Sequence, residues 1–188
     1  MLVILLFLQM VISAVIPIEY YIRLDVSMEK LEYTGNVTIK IRAIDTTRNI
    51  RLDSRSAVHK VRSTAYLEKW EKYSHYVNID LKEPMVAHQE EEIFLAFSGI
   101  IRTNSTTGFY ASLTRDVLAI TQFERYGANT VFPCFDDPAL KAFFIVEVAV
   151  EAPFYVLGNM EVEKITQLDK VVYRFKKTLK LSTYLVAW

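Results

Sequence analysis

The sequence predicts an all-β domain, and three observations lead to that prediction. Apolar and polar residues alternate with a period of two after Pro17, so Val37, Ile39 and Ile41 share one face of a strand. The alternating stretches are rich in β-branched and aromatic residues and are separated by turn-forming residues. Clean helical periodicity is absent. We therefore predict a mainly antiparallel β domain with at most a helical turn near Pro138–Lys141.

The alternation also places each strand along the chain. The predicted strands are, in order, Tyr20–Met28, Val37 to Ile41, Val58–Leu67, Tyr73 to Leu81 (with His75, Val77 and Ile79 on the same face), Ile93 to Phe97, Val117–Phe123, Phe143–Val150 and Val171–Leu179. No internal repeat or linker interrupts them, so residues 17–188 are predicted to form one domain.

Composition narrows the function classes. The chain has 188 residues with 22 basic and 22 acidic side chains, so it offers no basic surface of the kind that nucleic acids bind. Cys134 is the single cysteine, which excludes an internal disulfide and a CxxC metal site. We interpret it as a small buried apolar residue, the alternative being a reactive thiol.

Residues 1–16 are almost wholly apolar and are predicted to be a signal peptide or a short signal anchor. The segment is short for a membrane span and lacks basic residues, and the alternative is a buried N-terminal strand. Two glycosylation sequons, at Asn36 and Asn104, favour the secretory route. We expect an extracellular location or the outer face of the plasma membrane, with the leader as a possible tether.

The stretch TQFERYGANTVFPCFDDPALKA, from Thr121 to Ala142, is the most informative part of the chain. An apolar strand delivers Gln122 and Glu124 to its end, where a carboxylate facing a cleft would bind an ammonium group through charge-assisted hydrogen bonds. Asp136 and Asp137 precede a proline, and adjacent acids in that setting favour a capped turn over acid–base catalysis.

This stretch closely resembles a signature of the zinc aminopeptidases of the aminopeptidase N type. In that family a TQFE-like strand end precedes a loop of the pattern ARxxFPCFDEPxxKA. Three further segments resemble segments of the family and follow in the same order: YTGNVTI from Tyr33, GFYAS from Gly108 and LSTYLVA from Leu181. The resemblance covers residues from about Ile18 onward and implies the first domain of a larger enzyme, a saddle-like antiparallel β sandwich whose last strand is LSTYLVA.

The resemblance also implies site roles. The residue that matches Glu124 holds the substrate's α-amine in the family, and the residue that matches Gln122 lines the first side-chain pocket. The expected partner of this chain is therefore a peptide N-terminus. The alternative is that both residues are polar strand-end residues that face solvent.

Three positions depart from the family pattern. Asn129 stands where an arginine is expected, Asp137 where a glutamate is expected, and Gly127 where a more ordinary residue is usual. The missing arginine removes a predicted ion-pair partner of a nearby acid, for which Asp136 is the candidate.

The zinc-binding motif HExxH and the substrate-binding motif GAMEN are absent from the sequence. No two of His59, His75 and His88 have the spacing of zinc ligands on a helix. We expect no cofactor in this chain, with zinc held by the catalytic domain of the parent enzyme, and we expect the chain alone to be inactive. One alternative is a free-standing secreted β module that binds peptides or partner proteins, and a more distant one is an unrelated secreted β sandwich.

Overall fold

The computed structural model describes residues 14–113, 117–167 and 169–188. These residues form three β-sheets and two short 3-10 helices, Ala128–Thr130 and Thr183–Leu185. The strands are β1 (Val15–Ser27), β2 (Glu32–Ala43), β3 (Thr47–Asp53), β4 (Ala57–Ser63), β5 (Leu67–Lys72), β6 (Tyr76–Met85), β7 (Glu90–Ile100), β8 (Gly108–Leu113), β9 (Val117–Gln122), β10 (Phe143–Val150), β11 (Val162–Gln167) and β12 (Val171–Phe175). The predicted all-β fold is confirmed.

The largest sheet has seven strands in the order β11-β12-β10-β1-β2-β7-β4. A second sheet has the order β3-β6-β5, and β8 and β9 form a two-stranded sheet. All neighbours pair antiparallel except β1 and β10, which run parallel from the pair Glu19–Phe143. The chain between β9 and β10 carries the motif, and it therefore joins the two-stranded sheet to the centre of the large one.

One hydrophobic core lies between the sheets. The alternating residues Val37, Ile39 and Ile41 of β2 are fully buried, as are Ile79 and Leu81 of β6 in the second sheet. All belong to a single buried cluster, together with the aromatic residues of the motif. The inward faces of the alternating strands therefore meet as the period-two pattern predicts.

Three predicted strands have different bounds in the structure. The predicted strand Val58–Leu67 is two strands, β4 and β5, in different sheets. The bend between them is stabilised by the Ser63 hydroxyl, which accepts a hydrogen bond of 3.2 Å from the Ala65 amide. Tyr73 and His75 lie before β6 rather than in it, and β12 ends at Phe175.

The prediction that LSTYLVA is a strand is wrong. Only Leu181 forms a β-bridge, with Ala142, and Thr183–Leu185 is a 3-10 helix. The Ser182 hydroxyl donates to the Pro138 carbonyl at 2.6 Å, and the Thr183 hydroxyl donates to a carboxylate of the motif. These side-chain hydrogen bonds favour a tight turn over an extended strand. Val186 is 2% exposed because it packs against the core.

Residues 1–13 of the predicted leader lie outside the described residues, and β1 begins at Val15. No helix in residues 14–113, 117–167 and 169–188 has the length and apolar character that a membrane span requires.

Candidate functional site

Gln122 and Glu124 lie together at the end of β9. Between them, Phe123 is 1% exposed and packs edge-on against Phe132 and Trp188, with ring centroids 6.0 and 5.5 Å away. Because neighbouring side chains in an extended chain point to opposite sides, the buried Phe123 directs the two polar side chains to the surface. Both side chains are exposed.

A tight turn follows Glu124 and holds the strand end in place. The Gly127 amide donates a hydrogen bond to the Phe123 carbonyl at 2.8 Å, and the peptide bond between Glu124 and Arg125 is cis. A Cβ atom at position 127 would lie 2.9 Å from the Phe123 Cα atom, so a larger residue would force the backbone to shift. The glycine that departs from the family pattern thus has a steric reason in this turn.

The Glu124 carboxylate is free to receive a ligand. Its backbone amide donates to the Gln122 Oε1 atom at 3.1 Å, which positions the glutamine side chain beside it. No hydrogen bond or ion pair within the described part of the chain engages the carboxylate itself. An exposed, unpaired carboxylate beside an amide group is suited to an ammonium ligand.

The Asp136 carboxylate, in contrast, is buried and fully engaged. It is 4% exposed and accepts hydrogen bonds from the Asn129 amide nitrogens, at 3.2 Å from the backbone and 2.5 Å from Nδ2. The Thr183 hydroxyl donates to its second oxygen at 3.0 Å. Asn129 therefore contacts Asp136, the acid that the sequence indicated as the partner of the missing arginine. We call Asn129, Asp136 and Thr183 the buried polar cluster.

Burial raises the pKa of Asp136, and the nearby Asp53 carboxylate raises it further. The hydrogen bonds from Asn129 and Thr183 oppose this shift in pKa by stabilising the ionised form. No arginine or lysine of the described residues forms an ion pair with Asp136. The cluster ties two parts of the motif to the C-terminal turn at Thr183.

The remaining residues of the motif are structural. Asp137 is exposed, and its Oδ1 atom accepts a hydrogen bond of 2.9 Å from the Ala139 amide, which confirms the interpretation of a capped turn. Cys134 is fully buried, and burial raises the pKa of its thiol well above the usual value. The interpretation of Cys134 as a small buried residue is confirmed, because a buried neutral thiol is a poor nucleophile.

The described residues contain no group of three or more His, Cys, Asp or Glu side chains that could hold a metal ion. His59 instead shares a hydrogen bond of 2.7 Å with the Ser98 hydroxyl on the neighbouring strand. The residues that the structure describes therefore do not fit a zinc ion.

Comparison with known proteins establishes the family. Residues 16–185 match the Peptidase M1 N-terminal domain. This chain belongs to that family. Glutamyl aminopeptidase from Bitis rhinoceros is 32% identical to this chain over 92% of this chain and 20% of the relative. Endoplasmic reticulum aminopeptidase 1 from Homo sapiens is 30% identical over 93% of this chain and 20% of the relative. The resemblance inferred from the motif is thereby confirmed.

A relative from Thermoplasma acidophilum is also similar to this chain. Tricorn protease-interacting factor F2 from Thermoplasma acidophilum is 29% identical over 89% of this chain and 21% of the relative. The M1 N-terminal domain of this chain thus spans about one fifth of the length of the curated relatives it matches. In those relatives, most of the polypeptide lies outside the matched segment.

Proposed function

We propose that this chain is the N-terminal domain of a zinc aminopeptidase, an enzyme that removes N-terminal amino acids from peptides. The domain contributes part of the substrate site, and a catalytic domain of the same protein contributes the zinc and its ligands. The observation that carries the proposal is the free carboxylate of Glu124, held beside Gln122 at the end of β9. The membership of the M1 family supplies the reaction class.

In the proposed site, Glu124 binds the α-ammonium group of the substrate and Gln122 lines the pocket for the first side chain. A charge-assisted hydrogen bond to an ammonium group is stronger than one between neutral groups, and it distinguishes a free N-terminus from a blocked one. Zinc, when bound in the catalytic domain, supplies the activated water for hydrolysis. Kinetics of free and N-acetylated substrates on an enzyme that carries Glu124→Ala test this role.

We expect the 188-residue chain alone to show no hydrolysis of aminoacyl reporter substrates in the presence of zinc, because the described residues offer no zinc ligands. Purified chain is assayed with and without added zinc, and a chelator serves as the control. Turnover above the blank that the chelator abolishes would contradict the expectation.

The alternative function is that of a free-standing β module that binds peptides or partner proteins. The coding sequence beyond Trp188 distinguishes the two. An open frame that encodes GAMEN and HExxH supports the aminopeptidase, whereas a stop codon together with a stable secreted product supports the module.

We also propose that the chain enters the secretory pathway, through a leader in residues 1–16 that serves as signal peptide or short anchor. Relatives named as an endoplasmic reticulum aminopeptidase and as a thyrotropin-releasing hormone-degrading ectoenzyme support this route. The resulting expectation is glycosylation in a eukaryotic secretory host.

Asn104 should carry more glycan than Asn36. Asn104 is exposed in a turn in which the Ser105 hydroxyl accepts a hydrogen bond of 3.1 Å from the Thr107 amide. Asn36 is half-buried in the middle of β2, not at a strand start as the sequence suggested, and it pairs with Arg23 and Ala96 on the two neighbouring strands. Mass spectrometry of secreted chain, with Asn104→Gln and Asn36→Gln as controls, measures both occupancies. Two unoccupied sites would argue against the secretory route.

A further inference from the structure

The two-stranded sheet of β8 and β9 has a free edge. In the described structure β9 pairs with β8 on one side only. On the other side, at the end of β9, Trp188 lies against Thr121. The Thr121 amide donates to the Trp188 carbonyl at 3.3 Å, and the Trp188 amide donates to the Thr121 hydroxyl at 3.1 Å. A second chain segment thus begins to pair with this edge of β9.

The orientation of the backbone shows which groups face the free edge. Residues Phe109 and Ala111 of β8 stand opposite Thr121 and Ala119 of β9. The Phe109 carbonyl and the Ala111 amide both bond to Arg102, on the far side of β8, at 3.1 and 2.8 Å. Their pairs with β9 are therefore the non-hydrogen-bonded pairs of an antiparallel ladder. It follows that the backbone groups of Ala119, like those of Thr121, point to the free edge.

A groove of about 370 Å³ follows the same edge. It is lined by residues 117–120 of β9, residues 154–157 and Trp188, together with residues at the end of β1 and in β8 and β10. The lining side chains are aliphatic or aromatic, and several are exposed, such as Leu118 at 54% and Leu157 at 83%. An extended strand can bind to such a surface, because its backbone forms hydrogen bonds with the free amides while its apolar side chains fill the groove.

We propose that the polypeptide directly after Trp188 in the full-length protein lies in this groove as an antiparallel strand added to β9. The inference rests on the proposed function, in which a further domain follows this one. Trp188 is already paired with Thr121, and the groove extends from there toward Val117, so the added strand runs opposite to β9. The curated relatives, about five times longer than the matched segment, have chain to supply it.

The leader is a weaker candidate for the groove. It joins the chain at Ala14, next to the start of β1, whereas Val26 near the end of β1 lines the groove. At about 3.3 Å per strand residue, the two ends of β1 are on the order of 40 Å apart. Trp188, in contrast, is in the groove itself.

Amide hydrogen exchange tests the proposal in two proteins, the 188-residue chain and the longer product of the same coding sequence. The amides of Val117 and Ala119 should exchange at least about tenfold more slowly in the longer protein, because the added strand accepts their hydrogen bonds. The amides of Tyr110 and Ile120, which face each other within the β8–β9 pair, should exchange equally in both and report an intact hairpin.

A substitution at Ala119 separates strand addition from other effects of length. Ala119→Pro removes an amide that faces the free edge and leaves the β8–β9 hydrogen bonds in place. In the longer protein it should return the exchange rate of Val117 to that of the 188-residue chain, whereas Ala119→Val, which keeps the amide, should not. In the 188-residue chain both variants should leave the exchange of Val117 unchanged.

Three outcomes would overturn the proposal. The first is equal exchange of Val117 and Ala119 in both proteins. The second is protection already present in the 188-residue chain that increases with concentration and accompanies a dimer, which would make a second copy the occupant. The third is a coding sequence that stops at Trp188. Peptidase activity of the longer protein is measured separately. If that protein is active but the amides of Val117 and Ala119 exchange fast, only the added strand is contradicted. If those amides are protected but the protein is inactive, only the proposed function is contradicted.

Discussion

Replacing Asp136 with alanine is expected to lower the free energy of unfolding by about 3 kcal/mol. The carboxylate accepts hydrogen bonds from the Asn129 backbone and side chain and from the Thr183 hydroxyl, all within the core. Without it, the Asn129 backbone amide and the Thr183 hydroxyl lose the acceptor that the structure gives them. Leaving these two buried donors without an acceptor costs about 1–3 kcal/mol each. We expect this cost to exceed the free energy gained because a charge is no longer buried.

Asp137→Ala is the matched control for this prediction. It removes a carboxylate from the adjacent, exposed position, where the acceptor serves only the Ala139 amide at 2.9 Å. Chemical denaturation of the two variants should give a small loss, within about 1 kcal/mol, for Asp137→Ala. Equal losses for both variants would show that the buried polar cluster does not stabilise the fold as described.

The same cluster predicts a pH dependence. The pKa of Asp136 is raised above its usual value of 3.8, mainly by burial, so the folded state binds a proton more readily than the unfolded state. Its contribution to stability is therefore fully present below the unfolded pKa and is lost as the pH rises through the folded pKa.

Asp136→Asn cannot titrate at this position and provides the comparison. Asp53 and Cys134 remain beside the cluster in both proteins, so their effects largely cancel in the difference. On lowering the pH from 7 toward the unfolded pKa near 3.8, the free energy of unfolding of the wild type should rise relative to that of Asp136→Asn. A difference that stays constant over this range would contradict the raised pKa.

The fold followed from the sequence wherever alternation alone decides which side of a strand is buried. β2 and β7 are examples, since their alternating apolar residues fill the core that the period-two pattern predicts. The predictions failed where hydroxyl side chains form hydrogen bonds with the backbone or with a buried carboxylate. Ser63 bends the chain between β4 and β5, and Ser182 and Thr183 turn LSTYLVA into a 3-10 helix. The pattern of apolar residues does not reveal such hydrogen bonds, and the partners of Ser182 and Thr183 are set by the tertiary fold.

The candidate site shows the same division. Gln122 and Glu124 could be placed at a strand end from the motif, and the buried Phe123 between them accounts for their shared exposure. The contact of Asn129 with Asp136 was also indicated by the missing arginine. Thr183 was missed as a third member of the cluster, because it lies 47 residues from Asp136 and no sequence spacing joins them.

Glu124→Ala, in a full-length enzyme that carries this domain, is expected to weaken recognition of a free N-terminus by on the order of 2–5 kcal/mol. The carboxylate is exposed in this domain alone, and in the proposed enzyme the catalytic domain covers it when substrate is bound. Removal then leaves the substrate's ammonium group desolvated and without its counter-charge. The loss should appear mainly in substrate binding, because the ammonium group keeps its charge from the ground state to the transition state.

Two further variants define the role of the charge. Glu124→Gln should cause a smaller loss, since an amide oxygen still accepts a hydrogen bond from the ammonium group. Gln122→Ala should alter the preference for the first side chain while leaving the preference for a free N-terminus, because Gln122 lines the pocket in the proposed site. If Gln122→Ala instead abolished the preference for a free amine, the two roles would have to be exchanged.

In the proposed enzyme Glu124 recognises the amine of a peptide substrate, and the ratio of kcat/KM for a free substrate to that for its N-acetylated form measures this recognition directly. The ratio should fall on the order of 30-fold or more in Glu124→Ala, since 1.4 kcal/mol corresponds to a factor of about 10. A ratio unchanged from that of the wild-type enzyme would contradict the claim and leave Glu124 as a polar residue at the end of β9.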